Sequence, residues 1–193
     1  MKICVYGASS HAIDKKYFEM VEKLGERMVE RGHSLVFGGG GNGLMGAVAR
    51  GVKRKGGYIV GVIPKFFDEI DAEIAFKDCD EKISPDTMRE RKQIMEDNAD
   101  GFITVPGGIG TFEEFFEILT LKQLRQLDKP LVIYNVLGYY DEMLKMMEEA
   151  VKKEFIRDNV NTLYKVFTDV EEMLDYIENY KGTTLSVKDL KLG

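Results

Sequence analysis

Short runs of consecutive apolar residues alternate along the chain with longer stretches in which apolar positions recur every three or four residues. KICVY at 2–6 is the first run and predicts a strand. Over 14–31, Tyr17, Met20, Val21, Leu24 and Met28 recur at helical spacing, predicting a helix stopped by Gly32. The same reading gives strands at 34–37 and 58–63, the latter ended by Pro64, with a helix at 44–55 between them. The pattern fades over 65–83, where only a short strand at 73–77 is expected. Ser84-Pro85 reads as an N-cap followed by proline at the first helical position, opening a helix to about Ala99. A strand at 101–105, a glycine loop at 106–111 and a helix with the apolar face Phe112, Phe115, Phe116 and Leu119 follow. The remaining pattern predicts strands at 131–134 and 164–167 and helices at 139–153 and 170–180. Residues 181–193 are polar and are expected to form a loose tail.

Such alternation requires a mostly parallel sheet with helices on both faces: a Rossmann-like, doubly wound α/β fold, here as a single domain over 1–180. Ligands on such sheets bind beyond the carboxyl ends of the strands. Three glycine-bearing turns fall where strands end, at Gly7-Ala8-Ser9-Ser10, at 38–46 and at 106–111. They are expected to converge on one crevice.

Charge narrows the partners. With 27 basic and 33 acidic residues the net charge is −6, which disfavours nucleic acid and anionic membranes as the main partner but leaves room for a small anion in a local pocket. Cys4 and Cys79 are far apart, and the two histidines, His11 and His33, add no metal-binding spacing, so neither a disulfide scaffold nor a metal site is expected. No apolar run approaches the roughly 20 residues of a membrane helix. A cytoplasmic protein is the expectation.

Two glycine loops are candidates for chemistry. Gly41-Asn42-Gly43-Leu44-Met45-Gly46 matches GxGxxG formally, but it follows the second strand rather than the first, and the next strand ends without the acidic residue of a dinucleotide site. The readings left are tight helix packing or, the one favoured, backbone N–H groups facing an anion. The second loop is stronger. Pro106-Gly107-Gly108-Ile109-Gly110-Thr111 follows an apolar strand and opens a helix, so successive N–H groups and the helix dipole favour one phosphate there. It lacks the lysine and spacing of a nucleoside-triphosphate loop. Thr111 and Glu114 also make a good capping box, and Arg89, Arg91 and Lys92 are equally consistent with a solvated helix face. Spacing leaves both pairs of readings open.

Together these segments resemble the LOG ("lonely guy") phosphoribohydrolases, a family also described as lysine decarboxylases. The motif PGGxGTxxE is met from Pro106 to Glu114, and MHxRK aligns with Met88-Arg89-Glu90-Arg91-Lys92, with Arg89 in place of the family's histidine. That departure puts base preference in doubt. The resemblance implies hydrolysis of an adenine-type nucleoside 5'-monophosphate, with or without an N6-prenyl group, to free base and ribose 5-phosphate. It implies Arg91 and Glu114 as the catalytic pair. It also implies binding of the nucleotide by Gly107, Gly108, Ile109, Gly110 and Thr111, helped by Ser9 and Gly40, with Met88, Lys92, Glu113 and Thr120 as further contacts. A homodimer is implied, through the helices carrying Met88 and Phe112, and neither a cofactor nor a metal is required. Lysine decarboxylation is rejected, since it normally needs pyridoxal phosphate and no lysine stands in a recognisable context for it. The alternatives are a carrier of the same fold without hydrolysis, which retention of both Arg91 and Glu114 argues against, and a housekeeping nucleosidase with broader base choice.

Overall fold

The computed structural model describes residues 1–67 and 75–191. Its strands are β1 (Lys2–Tyr6), β2 (Ser34–Phe37), β3 (Ile59–Val62), β4 (Glu81–Ile83), β5 (Gly101–Thr104), β6 (Leu131–Tyr134) and β7 (Lys165–Phe167). They form one sheet in the order β4-β3-β2-β1-β5-β6-β7, and every pairing is parallel. The central strands are buried over nearly their whole length, as their unbroken apolar runs require of a sheet covered on both faces. The edge strands β4 and β7 carry exposed charges instead.

Alternate residues of the strands feed two cores. Ile3 and Val5 of β1 join Val21, Leu24 and Met28 of α1 (Lys15–Glu30), the apolar side of α2 (Gly43–Arg54), and Met173 and Leu174 of α6 (Val170–Glu178). Cys4 and Tyr6 join Met95 of α3 (Met88–Asn98), Phe115 and Ile118 of α4 (Ile109–Gln123), and Met147 of α5 (Asp141–Lys152). Strand order reverses between β1 and β5. The loops after these two strands therefore diverge at the sheet's topological switch point, where a crevice opens; Ala8 N–H still bonds to Pro106 O across it at 3.1 Å.

Several sequence expectations shift. The helix expected from Ser84-Pro85 begins at Met88, because Thr87 caps it: the Thr87 hydroxyl accepts from Glu90 N–H, and the Glu90 carboxylate accepts from Thr87 N–H. Glu81–Ile83 is a strand that the pattern did not reveal, since two of its three residues are charged. Of the strand expected at 73–77, Ala75 forms an isolated antiparallel bridge with Gly40, while residues 73 and 74 lie outside the described residues. The tail is docked rather than loose. Its short helix α7 (Val187–Leu190) is capped by Ser186 and buries Leu190 completely in the second core.

Candidate active site

The glycine loop after β5 behaves differently from its sequence reading. The chain is already helical at Ile109, so Gly108 is the N-cap of α4 and offers no side chain to cap it. The first N–H groups of α4 therefore lack an intrahelical acceptor and lie at the positive end of its dipole. A Cβ built on Gly108 or Gly110 meets nothing within 4 Å, and neither residue has positive φ. Nothing in the chain's own packing demands glycine at these two positions. A Cβ at either position would stand in open space, and both glycines line the cleft described below. Gly107 is the opposite case, since a Cβ there would overlap the side chain of Thr111.

Because α4 starts early, Thr111 is its third residue and Glu114 its sixth, and the capping box that the spacing left open does not form. Glu114 instead stands on the helical face of Gly110 and Thr111, with its carboxylate directed back toward the open first turn. Glu114 is only 9% exposed. Burial pushes its carboxyl up to about 7, against the pull of the Arg91 guanidinium.

Arg91 comes from the first turns of α3 and is itself buried. Its Nε donates to Val62 O at 3.1 Å and its Nη2 to Gly38 O at 3.3 Å, so the carboxyl ends of β3 and β2 hold it. Nη1 lies 3.7 Å from Glu114 Oε1. Gly38 is required for this placement, because a Cβ there would overlap Arg91 Nη2.

Arg91, Glu114, Gly108 and Gly110 line one cleft of about 310 Å3, together with Gly7, Ala8, Ser9, Met45, Phe67, Ile109 and Thr111. Of the residues singled out from sequence, Ser9, Arg91, Gly108, Ile109, Gly110, Thr111 and Glu114 meet here. Met88 touches the edge of the pair, its Sδ lying 4.0 Å from Arg91 Nη1. Lys92 and Glu113 pair with each other outside the lining. Gly40 is engaged with Ala75. Gly107 faces a neighbouring hollow, where its carbonyl accepts from Tyr139 Oη at 2.6 Å. Thr120 lies in a separate hollow between α4 and α5, its hydroxyl donating to Phe116 O at 2.7 Å.

At the start of α2 two of the N–H groups that the favoured reading would turn to an anion are used within the chain. Leu44 N–H and Met45 N–H both donate to Ala8 O, at 2.8 and 3.2 Å. Cβ atoms on Gly43 and Gly46 would overlap Ala8 O and Gly41 O. Close packing explains this glycine cluster. Sequence reasoning missed Phe67 and gave no site role to Gly38 or Met45, although both lie in the 38–46 turn expected at the crevice. Glycine richness was the only signal for Gly38, and Phe67 lies in the stretch whose pattern is unreadable.

With this geometry in view, the similarities to known proteins become specific. Residues 45–177 match the family described as possible lysine decarboxylase. The cytokinin riboside 5'-monophosphate phosphoribohydrolase LOG2 of Arabidopsis thaliana is 36% identical over 179 residues, covering 93% of this chain and 83% of its own. The rice enzyme LOG (Oryza sativa subsp. japonica) is 37% identical over 179 residues, covering 93% of this chain and 73% of its own. The chain belongs to the LOG family. Its fold is also that of the molybdenum cofactor carrier protein of Chlamydomonas reinhardtii, with a TM-score of 0.70 at 22% identity over 93% of this chain and 96% of the carrier. That likeness is one of architecture. No helix among the described residues of this LOG-family chain is long and apolar enough to cross a membrane.

Proposed function

We propose that this chain hydrolyses the N-glycosidic bond of an adenine-type nucleoside 5'-monophosphate, including its N6-prenylated forms, and releases the free base and ribose 5-phosphate. The observation that carries the reading is the buried Glu114 carboxylate, 3.7 Å from a fixed guanidinium and beside an open, uncapped helix N-terminus. The 5'-phosphate sits on the free N–H groups of Ile109, Gly110 and Thr111, with Ser9 at the rim. This places the ribose over Glu114. As the bond from C1' to the base nitrogen breaks, positive charge grows on the ribose and a nearby carboxylate stabilises it. Water adds to C1', Glu114 accepts its proton, and the proton passes on as the base leaves neutral. A carboxyl near 7 is well matched to that exchange at neutral pH. Arg91 keeps its proton throughout, so its part is to orient the nucleotide and to favour the ionised form of Glu114 against the effect of burial. No step calls for a metal or cofactor.

The relatives that act on cytokinin riboside 5'-monophosphates support the same substrate class here. Homodimerisation in the cytoplasm belongs to the same reading. The apolar faces of α3 and α4 are largely spent on the sheet, so the surface that supports a dimer is the hollow between α4 and α5, rimmed by the 81%-exposed Phe155. Light scattering of the purified chain tests that part.

For the activity, AMP and N6-isopentenyl-AMP are incubated with the protein and free base is followed by chromatography, alongside Glu114→Gln and Arg91→Ala. Base release that both substitutions abolish while the fold persists is the expected result. Binding of either nucleotide without base release overturns the hydrolase and favours a carrier.

A further inference from the structure

The two ends of the cleft differ in chemistry. Its lining comes from segments that follow four neighbouring strands: the start of α4 after β5, Gly7 to Ser9 after β1, Met45 of α2 after β2, and Phe67 after β3. These strands lie side by side in the order β3-β2-β1-β5, so β3 stands three strand spacings from β5, roughly 14 Å. The uncapped N–H groups of α4 occupy the β5 end. Two large apolar side chains, Met45 and Phe67, come from the other end, which they share with Arg91. Ile109 belongs to the β5 end and is 82% exposed, so it offers little enclosed apolar surface. Phe67 is held by its backbone: its N–H donates to Pro64 O at 3.1 Å, and Lys65 N–H donates to Pro85 O at 3.1 Å in the loop before α3. The Lys65 ammonium also pairs with Asp86 at 2.7 Å. Phe66 stacks on the Phe67 ring, with centroids 4.7 Å apart and an angle of 25° between the planes. One face of Phe67 is thus covered by Phe66, yet the ring is only half-buried and still borders the open cleft.

We propose that Phe67 is the platform on which the base of the nucleotide stacks, with the Met45 thioether as a second apolar wall. The substrate class rests on the hydrolase reading above, whereas the stacking requires only that a nucleotide binds. With the phosphate on the first turn of α4 and the ribose over Glu114, the base is carried across β1 toward β3, where the lining turns apolar. Every nucleobase has a π face, so an aromatic ring holds it without reading its hydrogen-bonding edge. A thioether is polarisable and packs well against a flat ring. Phe67 therefore adds affinity for the base and none for the sugar phosphate.

Calorimetric binding of AMP and of ribose 5-phosphate tests the platform, in a Glu114→Gln background so that no base is released during the titration. The two ligands share the phosphate and the ribose and differ in the base. Phe67→Ala is expected to weaken AMP by ten- to a hundredfold and to leave ribose 5-phosphate within twofold. Phe67→Tyr keeps the ring and holds AMP close to the parent affinity. Phe67→Leu keeps apolar bulk without a π face, so it weakens AMP as well, and it serves where truncation disturbs the turn at 64–67. With Glu114 restored, KM for AMP rises in Phe67→Ala while kcat changes little, because the base is stacked both before and during bond breaking. If the parent binds AMP but never releases base, the hydrolase reading fails, and the contrast between the two ligands still decides the platform. Equal weakening of both ligands overturns the inference. So does an AMP affinity unmoved in Phe67→Ala and Phe67→Leu, or a background chain that holds ribose 5-phosphate as tightly as AMP. A chain that binds neither ligand overturns this inference and the hydrolase reading together.

Discussion

Gly38 shows how much a single missing methyl group decides. Its lack of a Cβ leaves the space that Arg91 Nη2 fills, and its carbonyl then accepts a hydrogen bond from the same nitrogen. Gly38→Ala is therefore expected to displace the guanidinium while leaving the sheet and both cores intact. A shift of about 1 Å at a reacting group is worth roughly a hundredfold in rate. kcat/KM on AMP is expected to fall by that order, with the circular dichroism of the parent retained. In the sequence Gly38 is one of four consecutive glycines, and nothing local distinguishes it. Its role depends on a guanidinium 53 positions further along the chain. Arg91 and Glu114 were visible through a family motif, but spacing alone left a solvated arginine and a capping glutamate equally consistent. Burial of both settles that choice against solvation and capping.

Helix starts shifted more than helix positions. For α3, Pro85 suggested an early start, but the reciprocal Thr87–Glu90 cap sets the boundary at Met88. The glycine loop of α4 went the other way, with the helix beginning before the residue that looked like its cap. Caps depend on backbone angles at the junction, and periodicity over the helix body does not report those. The early start gives Gly110 its meaning. Because a Cβ there meets no neighbour, Gly110→Ala is expected to raise thermal stability slightly, by up to about 1 kcal/mol from helix propensity. The added methyl stands where the phosphate would approach. KM for AMP is expected to rise tenfold or more, the equivalent of one charge-assisted hydrogen bond at about 1.5–3 kcal/mol. Thermal melts and steady-state kinetics on the same sample check whether stability and affinity move in opposite directions.

For the whole molecule, a buried acid near neutrality makes stability depend on pH. The Glu114 carboxyl moves from an ordinary value of 4.5 to about 7 on folding. Between these values the native state holds a proton that the unfolded chain has released, so stability falls as pH rises through that window. Glu114→Gln removes this contribution. Relative to the parent, the variant is expected to gain stability between pH 4.5 and pH 8, by up to about 3 kcal/mol, whatever its offset at pH 4.5. Chemical denaturation of both proteins at the two pH values reads the difference directly; a gap independent of pH would mean that Glu114 is not held protonated. Glu96, also raised to about 7, remains in both proteins and cancels from the comparison.

The sequence alone determined the architecture, because strands buried on both faces leave continuous apolar runs and amphipathic helices leave a period near 3.6. It also determined that a glycine loop opens a helix after β5, and through two motifs it determined the family. Tertiary structure decided what no local pattern encodes. Strand β4 was hidden because an edge strand has no apolar face to display, and the docking of Leu190 rests on one residue in a polar tail. Both glycine loops were open to an anion-binding reading in sequence, the second more strongly. Only the fold shows that Ala8 O takes up Leu44 N–H and Met45 N–H at one of them, while Cβ positions at Gly108 and Gly110 of the other stay open, because which group meets which depends on how separate segments pack together.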